Sequence, residues 1–192
     1  MRSPAHTIHS YLLAKDGNRP HLMAEAFSED AMLSMQVNTE SIAFPPLSQG
    51  REAIADVLVR RFGQSYENVY TFCLTPPPGQ PIPVFSCEWL VAMTDKGSGN
   101  VRVGCGRYDW HFEDLTGLAE RLAITVEVMQ ILPPAAQERV MKWVASLPYP
   151  WCATEAVIAR AADVVGVGPV LAWLASNNRL LRDRLLTEGV EK

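Results

Sequence analysis

The densest set of side chains able to do chemistry lies in residues 84–112. Along 106–112 the residue types alternate. Gly106, Tyr108, Trp110 and Phe112 share one face, and Arg107, Asp109 and His111 share the other. The aromatic set is expected to face a helical layer. The preceding stretch, Val84–Thr94, reads as a strand joined to it by a Lys96-Gly97-Ser98-Gly99-Asn100 hairpin loop. If that loop sets Asp95 opposite Val101, Glu88 falls across from Tyr108 and Ser86 across from Trp110. Trp89 then lies beside Arg107, and Cys87 beside Asp109. In that register Glu88 is a carboxylate on the inner face, among Tyr108, Trp110 and Leu90. Desolvation raises a carboxyl pKa toward the range useful for general acid–base work. Tyr108 would hydrogen-bond Glu88 or polarise a carbonyl. Glu88 and Tyr108 are therefore the candidate catalytic pair, with Ser86, Leu90, Trp110 and Phe112 lining the pocket around them. The competing reading is a buried glutamate satisfied by tyrosine or backbone, with no chemistry.

The same register places Phe85, Trp89, Val91 and Met93 on the outer face. A sheet face that apolar should not meet water, so a homodimer through Phe85, Trp89 and Val91 is expected. Arg107, Asp109 and His111 would form a satisfied polar network near that interface rather than a triad. On the first helical segment Tyr11 and Lys15 lie one turn apart, followed by Asp16, so Tyr11 is a further pocket candidate. His6 and His9 are three residues apart, but no cysteine or acidic neighbour completes a ligand set, so no metal is expected. His21, beside Pro20, reads as a first-turn helix residue. The chain carries no nucleophile elbow, phosphate-cradling glycine loop or dinucleotide fingerprint, and no cofactor is expected. Gly104 and Gly106 lie within a strand pattern and mark close packing or curvature.

The elements that must hold these residues follow from composition and periodicity. At 192 residues, with 48% hydrophobic and 20% charged residues, the chain is one domain, or one domain with an appendage. Its net charge of −4 argues against a polyanion partner. Cys73, Cys87, Cys105 and Cys152 are widely spaced and read as free, buried thiols rather than a disulfide scaffold. No leader pattern and no apolar run of membrane-spanning length is present, so no membrane association and a cytoplasmic location are expected.

Spacing predicts a helix over 7–15, a short helix over 20–28 and a strand over 31–37. A helix over 51–62 carries the stripe Ile54, Val57, Leu58 and Phe62. Strands are predicted over 66–74, 84–94, 101–112 and 121–132, with PPPGQPIP (76–83) excluding helix between the first two. Helical pieces over 135–147, 154–165, 169–175 and 178–188 follow Pro133-Pro134. The order reads as α+β: a cone-shaped, curved, mostly antiparallel sheet with N-terminal helices on its concave face, plus a C-terminal helical extension. The expected division is 1–132 for the cone and 133–192 for the extension, packed on the cone or on a partner.

This order, with four short signatures, resembles the nuclear transport factor 2-like superfamily in its SnoaL-like (polyketide-cyclase-like) branch. The carrying segments are Tyr11-Leu12-Leu13-Ala14-Lys15-Asp16, Ala26-Phe27-Ser28-Glu29-Asp30-Ala31, Gly50-Arg51-Glu52-Ala53-Ile54 and Gly106-Arg107-Tyr108. The resemblance covers about 1–132. It implies a pocket between sheet and helices, often a dimer through the outer sheet face, and no single reaction. Related dehydratase-like members place a histidine early in the strand after the third helix, where this chain reads ENVYTFCLT. Related aldol cyclases place an acidic residue late in the last strand, which here holds only Glu127.

In the extension, Ala162–Pro169 mimics a helix-turn-helix spacing, but the next helix (PVLAWLASNN) is too apolar to read base edges. Asp183 and Glu188 dilute Arg179, Arg182 and Arg184, so nucleic acid is not the expected partner. Tyr149-Pro150-Trp151 is an aromatic anchor suited to pinning the segment down. Two functions stand. One is a cofactor-independent isomerase, dehydratase or cyclase acting on a small apolar molecule. The other is a non-catalytic binding or dimerisation module. A cavity filled by Trp110, Phe112 and methionines would favour the module.

Overall fold

The computed structural model describes residues 2–161 and 164–188, and side chains as far as Asn178. Helix α1 (Pro4–Asp16) starts where the Ser3 side chain accepts the His6 N–H, with proline in its first turn, and ends at Gly17. A 3₁₀ turn (Pro20–Glu25) leads into β1 (Phe27–Val37), whose alternating burial marks one covered face. The short β2 (Leu47–Gln49) pairs antiparallel with β1 and had no signal in the sequence beyond its three residues. Helix α2 (Arg51–Ala55) runs through a wide π-type turn (Asp56–Arg61) into α3 (Phe62–Ser65). Four long strands follow: β3 (Tyr66–Cys73), β4 (Val84–Asp95), β5 (Val101–Phe112) and β6 (Ala119–Leu132).

These strands form one open six-stranded sheet in the order β2-β1-β6-β5-β4-β3, parallel only between β1 and β6. The architecture is the expected α+β one. A bulge at Glu127 breaks the β5–β6 register between the Cys105–Val128 and Gly106–Val126 pairs. It moves the inner face of β6 from even to odd positions, so Val126 and Met129 share one side. On β5, a Cβ at Gly106 would stand 1.9 Å from the Thr125 carbonyl oxygen and 2.8 Å from Trp89 Cζ2. Glycine there lets Trp89 lie against bare backbone.

Two apolar cores occupy the two faces of the sheet. The first joins Ile8, Tyr11, Leu12, Ile54 and Leu58 of the N-terminal helices to Trp89, Tyr108 and Met129 of the strands. The second joins Phe72, Leu90, Val103 and Cys105, on the opposite faces of the same strands, to the helices after Leu132. These are α4 (Gln137–Ala145), α5 (Thr154–Arg160) and α6 (Gly168–Glu188). Val140, Trp143 and Val144 of α4 are buried against the sheet, and Trp143 Nε1 donates to the Val157 carbonyl at 3.2 Å. Helix α6 is continuous where two pieces were expected. Ser176 and Asn177 bond back to the carbonyls of Ala172 and Trp173 instead of capping a new start. The helix-turn-helix-like spacing at Ala162–Pro169 falls partly outside the described residues. The side chains of Arg179, Arg182, Asp183, Arg184 and Glu188 do so entirely.

The Tyr149-Pro150-Trp151 segment ties the extension to the sheet edge. Cys73 N–H donates to the Pro150 carbonyl at 2.8 Å, and Cys152 N–H donates to the Cys73 carbonyl at 3.0 Å. Tyr149 meets Phe72 edge-on at 5.8 Å, and Trp151 meets Phe85 at 6.3 Å. The outer edge of β3 is thereby partly closed. No helix among the described residues is long and apolar enough to cross a membrane.

Candidate functional site

The pairing of β4 with β5 decides which residues meet the cavity. Thr94, not Asp95, stands opposite Val101. Asp95 instead closes the loop, pairing with Asn100, while its Oδ1 accepts the N–H groups of Gly97 and Ser98 at 2.9 and 3.0 Å. These bonds hold its carboxyl below the usual aspartate range, led by the one from Ser98. The loop is therefore one residue tighter on the β4 side than expected, and every β4 side chain changes face.

This corrects the expected site. Glu88 has Arg107 as its cross-strand partner, on the face turned away from Tyr108. Ser86 lies on that outer face and donates to Asp109 Oδ1, which also accepts Arg107 Nε at 2.9 Å. Leu90 is fully buried there, under the C-terminal helices. Conversely, Trp89 and Val91, expected at an outer dimer face, are buried in the inner core, and Phe85 packs against that core. The upper part of the outer face is covered by the chain's own α4–α6. Arg107, Asp109 and His111 do point outward, as the alternation of β5 required.

Tyr108 and Tyr11 are on the expected inner side. Tyr108 stacks on Trp89 at 5.7 Å and meets Tyr11 edge-on at 6.0 Å. Burial pushes both phenols well above their ordinary range, so both stay protonated. Trp110 and Phe112 face inward but pack deeper. Trp110 is fully buried against Tyr11 and Phe27, and Phe112 lines a separate crevice beside Pro4 and Pro83.

The cavity is small, with ≈ 50 Å³ of free space, and has an almost wholly apolar wall. Strand β4 contributes Trp89, Val91 and Met93, α1 contributes Tyr11 and Lys15, and the wide turn and α3 contribute Leu58 and Phe62. Met35, Met129 and the loop residues Ile42 and Phe44 complete most of the wall. Apart from Tyr11 and Lys15, sequence reasoning missed these residues. The signal was the unbroken odd-position series Phe85, Cys87, Trp89, Val91 and Met93, which was assigned to the wrong face. Met129 was hidden by the bulge.

Among the described residues no carboxylate lines this wall. Asp16 follows the wall residue Lys15, and its hydrogen-bonding capacity is taken up. Its Oδ2 accepts the Thr71 N–H at 2.7 Å and the Tyr149 hydroxyl at 3.1 Å, and its Oδ1 accepts the Thr71 hydroxyl at 2.8 Å. Lys15 Nζ sits 2.7 Å from Asp16 Oδ1, donates to Thr71 Oγ1 at 2.7 Å and lies 4.7 Å from the Phe62 ring centroid. The lysine charge at the wall is thus balanced within the fold. Among the described residues the buried indole Nε1 of Trp89 has no acceptor. Among the described residues no three His, Cys, Asp or Glu side chains converge to hold a metal, and His6 instead approaches Glu25 at 3.5 Å.

No protein-family model and no curated protein matches the sequence of this chain. Solved structures match its fold. A proposed isomerase from Rhodopseudomonas palustris superposes with a TM-score of 0.55 at 13% identity, covering 67% of this chain and 91% of its own. A nuclear transport factor 2-like superfamily protein from Salmonella enterica gives 0.51 at 17%, covering 64% and 87%. Another such protein, from Burkholderia thailandensis, gives 0.51 at 12%, covering 66% and 92%. Each likeness spans most of the other chain and about two thirds of this one.

Proposed function

We propose that this chain, which has the nuclear transport factor 2-like fold, binds a small apolar molecule in the cavity between its sheet and its N-terminal helices, and does so without catalysis. The observation that carries the reading is the wall itself. It is built from aromatic side chains, methionines and aliphatics, with no carboxylate on it among the described residues and with Lys15 paired to Asp16. General acid–base chemistry needs a titratable group within hydrogen-bond reach of the substrate. Glu88, the carboxylate the sequence offered for that role, belongs to the other face. Tyr108 and Tyr11 hydrogen-bond to one another, and that pair of hydroxyls is the polar feature that can orient a ligand. Methionine side chains at three wall positions suit a binder that adjusts to its guest, since Met has three rotatable bonds and a polarizable sulfur.

The test is calorimetric titration of the chain with naphthalene, beside Val91→Phe, which puts a ring into the cavity. Wild type should bind with a negative heat-capacity change, the mark of apolar burial. Val91→Phe should lose binding while keeping its cooperative unfolding transition. Equal binding by both proteins, or no binding by wild type up to the solubility limit, refutes the reading.

A further inference from the structure

A second cavity, of ≈ 250 Å³, lies against the first. Ile42, Phe44 and Phe62 line both, so these three side chains stand between the two spaces. Phe62 is held by its helix, by the Tyr66 ring at 4.9 Å and by Lys15. Ile42 and Phe44 are held differently. They are half-buried and sit on residues 38–46, which have no regular secondary structure. Backbone bonds secure the ends of that loop: Asn38 N–H to the Val126 carbonyl at 2.8 Å, and Met35 N–H to the Pro46 carbonyl at 2.9 Å. Between them the Arg102 guanidinium donates to the Ser41 carbonyl. Ile42 and Phe44 can therefore move aside without breaking a strand ladder.

The two spaces differ in chemistry. The inner wall is apolar. The outer one carries Arg61, Ser65 and Tyr66. Arg61 is exposed, and its Nε is 2.7 Å from Asp56 Oδ2. Burial raises the Tyr66 phenol pKa, so that hydroxyl stays a donor. The wide turn at Asp56–Arg61 arranges this division. It aims Leu58 at the inner space and Val57 and Arg61 at the outer one.

We propose that the two cavities are the inner and outer ends of one ligand site. Its ligand is an elongated amphiphile: an apolar chain fills the inner space, and a hydrogen-bond-accepting head group meets Arg61, Ser65 and Tyr66. Ile42 and Phe44 are the movable partition. The inference rests on the apolar-binding reading above and adds the length of the ligand and the chemistry of its head.

Calorimetric titration of the full chain with decanoate, decan-1-ol and decylammonium tests it, with naphthalene as the reference for the inner space. Decanoate should bind at least about tenfold more tightly than decylammonium, which has no acceptor, although the chain's net charge of −4 favours a cation. Arg61→Gln, at an exposed position, should weaken decanoate by about tenfold and leave naphthalene unchanged. Methyl NMR should show decanoate shifting Val57, which lines only the outer space, together with Met129, which lines only the inner one. Decan-1-ol matching decanoate identifies a neutral acceptor head, and a weaker decan-1-ol identifies an anionic one; both support the site. Decylammonium equal to decanoate, no effect of Arg61→Gln, or shifts confined to one cavity overturns the proposal while naphthalene binding leaves the simpler reading standing. Loss of naphthalene binding as well removes both.

Discussion

Replacing Asp16 with asparagine tests the account of the cavity wall most directly. The side chain is nearly isosteric, so packing is preserved and charge alone changes. In the native chain the carboxylate and the Lys15 ammonium lie 2.7 Å apart with side-chain exposures of 7% and 6%. Removing one partner of a buried ion pair leaves the other charge uncompensated, which costs about 3–5 kcal/mol. The asparagine carbonyl can still accept one or two of the bonds from Thr71 and Tyr149, which favours the lower end, about 3 kcal/mol. For a chain of this size that corresponds to a fall in Tm of roughly 6–12 °C. Lys15→Met removes the stranded charge, so the Lys15→Met/Asp16→Asn double variant should recover at least about 1 kcal/mol relative to the sum of the single changes. Thermal unfolding followed by circular dichroism at neutral pH reads all four proteins. A fall of less than about 2 °C for Asp16→Asn, or strict additivity in the cycle, would refute the idea that this pair is a buried, mutually dependent unit.

Two further outcomes follow from the packing and the titration of the core. Gly106→Ala forces a Cβ to within 1.9 Å of the Thr125 carbonyl, a backbone atom, so it should destabilise by about 3 kcal/mol in urea unfolding; a change below about 1 kcal/mol would mean that β5 and β6 separate easily. Burial pushes the Cys105 thiol from 9.0 up to about 12. The folded state thus holds this proton more tightly than the unfolded state, so its share of stability is complete below pH 9.0 and is lost as pH rises toward about 12. The buried Tyr11 and Tyr108 phenols act in the same sense. Denaturation midpoints should hold steady near neutrality and fall progressively above about pH 9, and a midpoint still constant at about pH 11 would contradict the burial of these groups. Cys105→Ser should reduce the slope.

Much of the fold was legible in the chain. Proline and glycine punctuation bracketed α1, the helical stretch 51–65 and the four long strands to within a few residues. The three-residue β2 was too short to carry a period, and the Glu127 bulge changed the parity of β6 without any turn residue to announce it. The site was legible only in part. Tyr11 and Tyr108 were found, because the helical spacing of α1 and the alternating pattern of β5 each place their aromatic on the inner side. Lys15 was noted, and the next residue, Asp16, balances its charge, but Thr71 and Tyr149, which hold that carboxylate in place, lie far away in sequence.

The sequence by itself determined the order of the elements and the faces of β5. There Tyr, Trp and Phe alternate with Arg, Asp and His, and only one side can be buried. For β4 it could not choose. Both of its faces are apolar, Trp89, Val91 and Met93 on one and Leu90 and Ala92 on the other, because the helices before the sheet cover one side and the helices after it cover the other. The odd positions are the more apolar series, since Ser86, Glu88 and Thr94 share the even face, but with helices on both sides of the sheet that difference does not say which helical layer they meet. The choice fell to the tertiary structure, where the Asp95 carboxylate captures the N–H groups of Gly97 and Ser98 and sets Thr94 against Val101. That single step turns Glu88 outward and makes Trp89 part of the cavity wall.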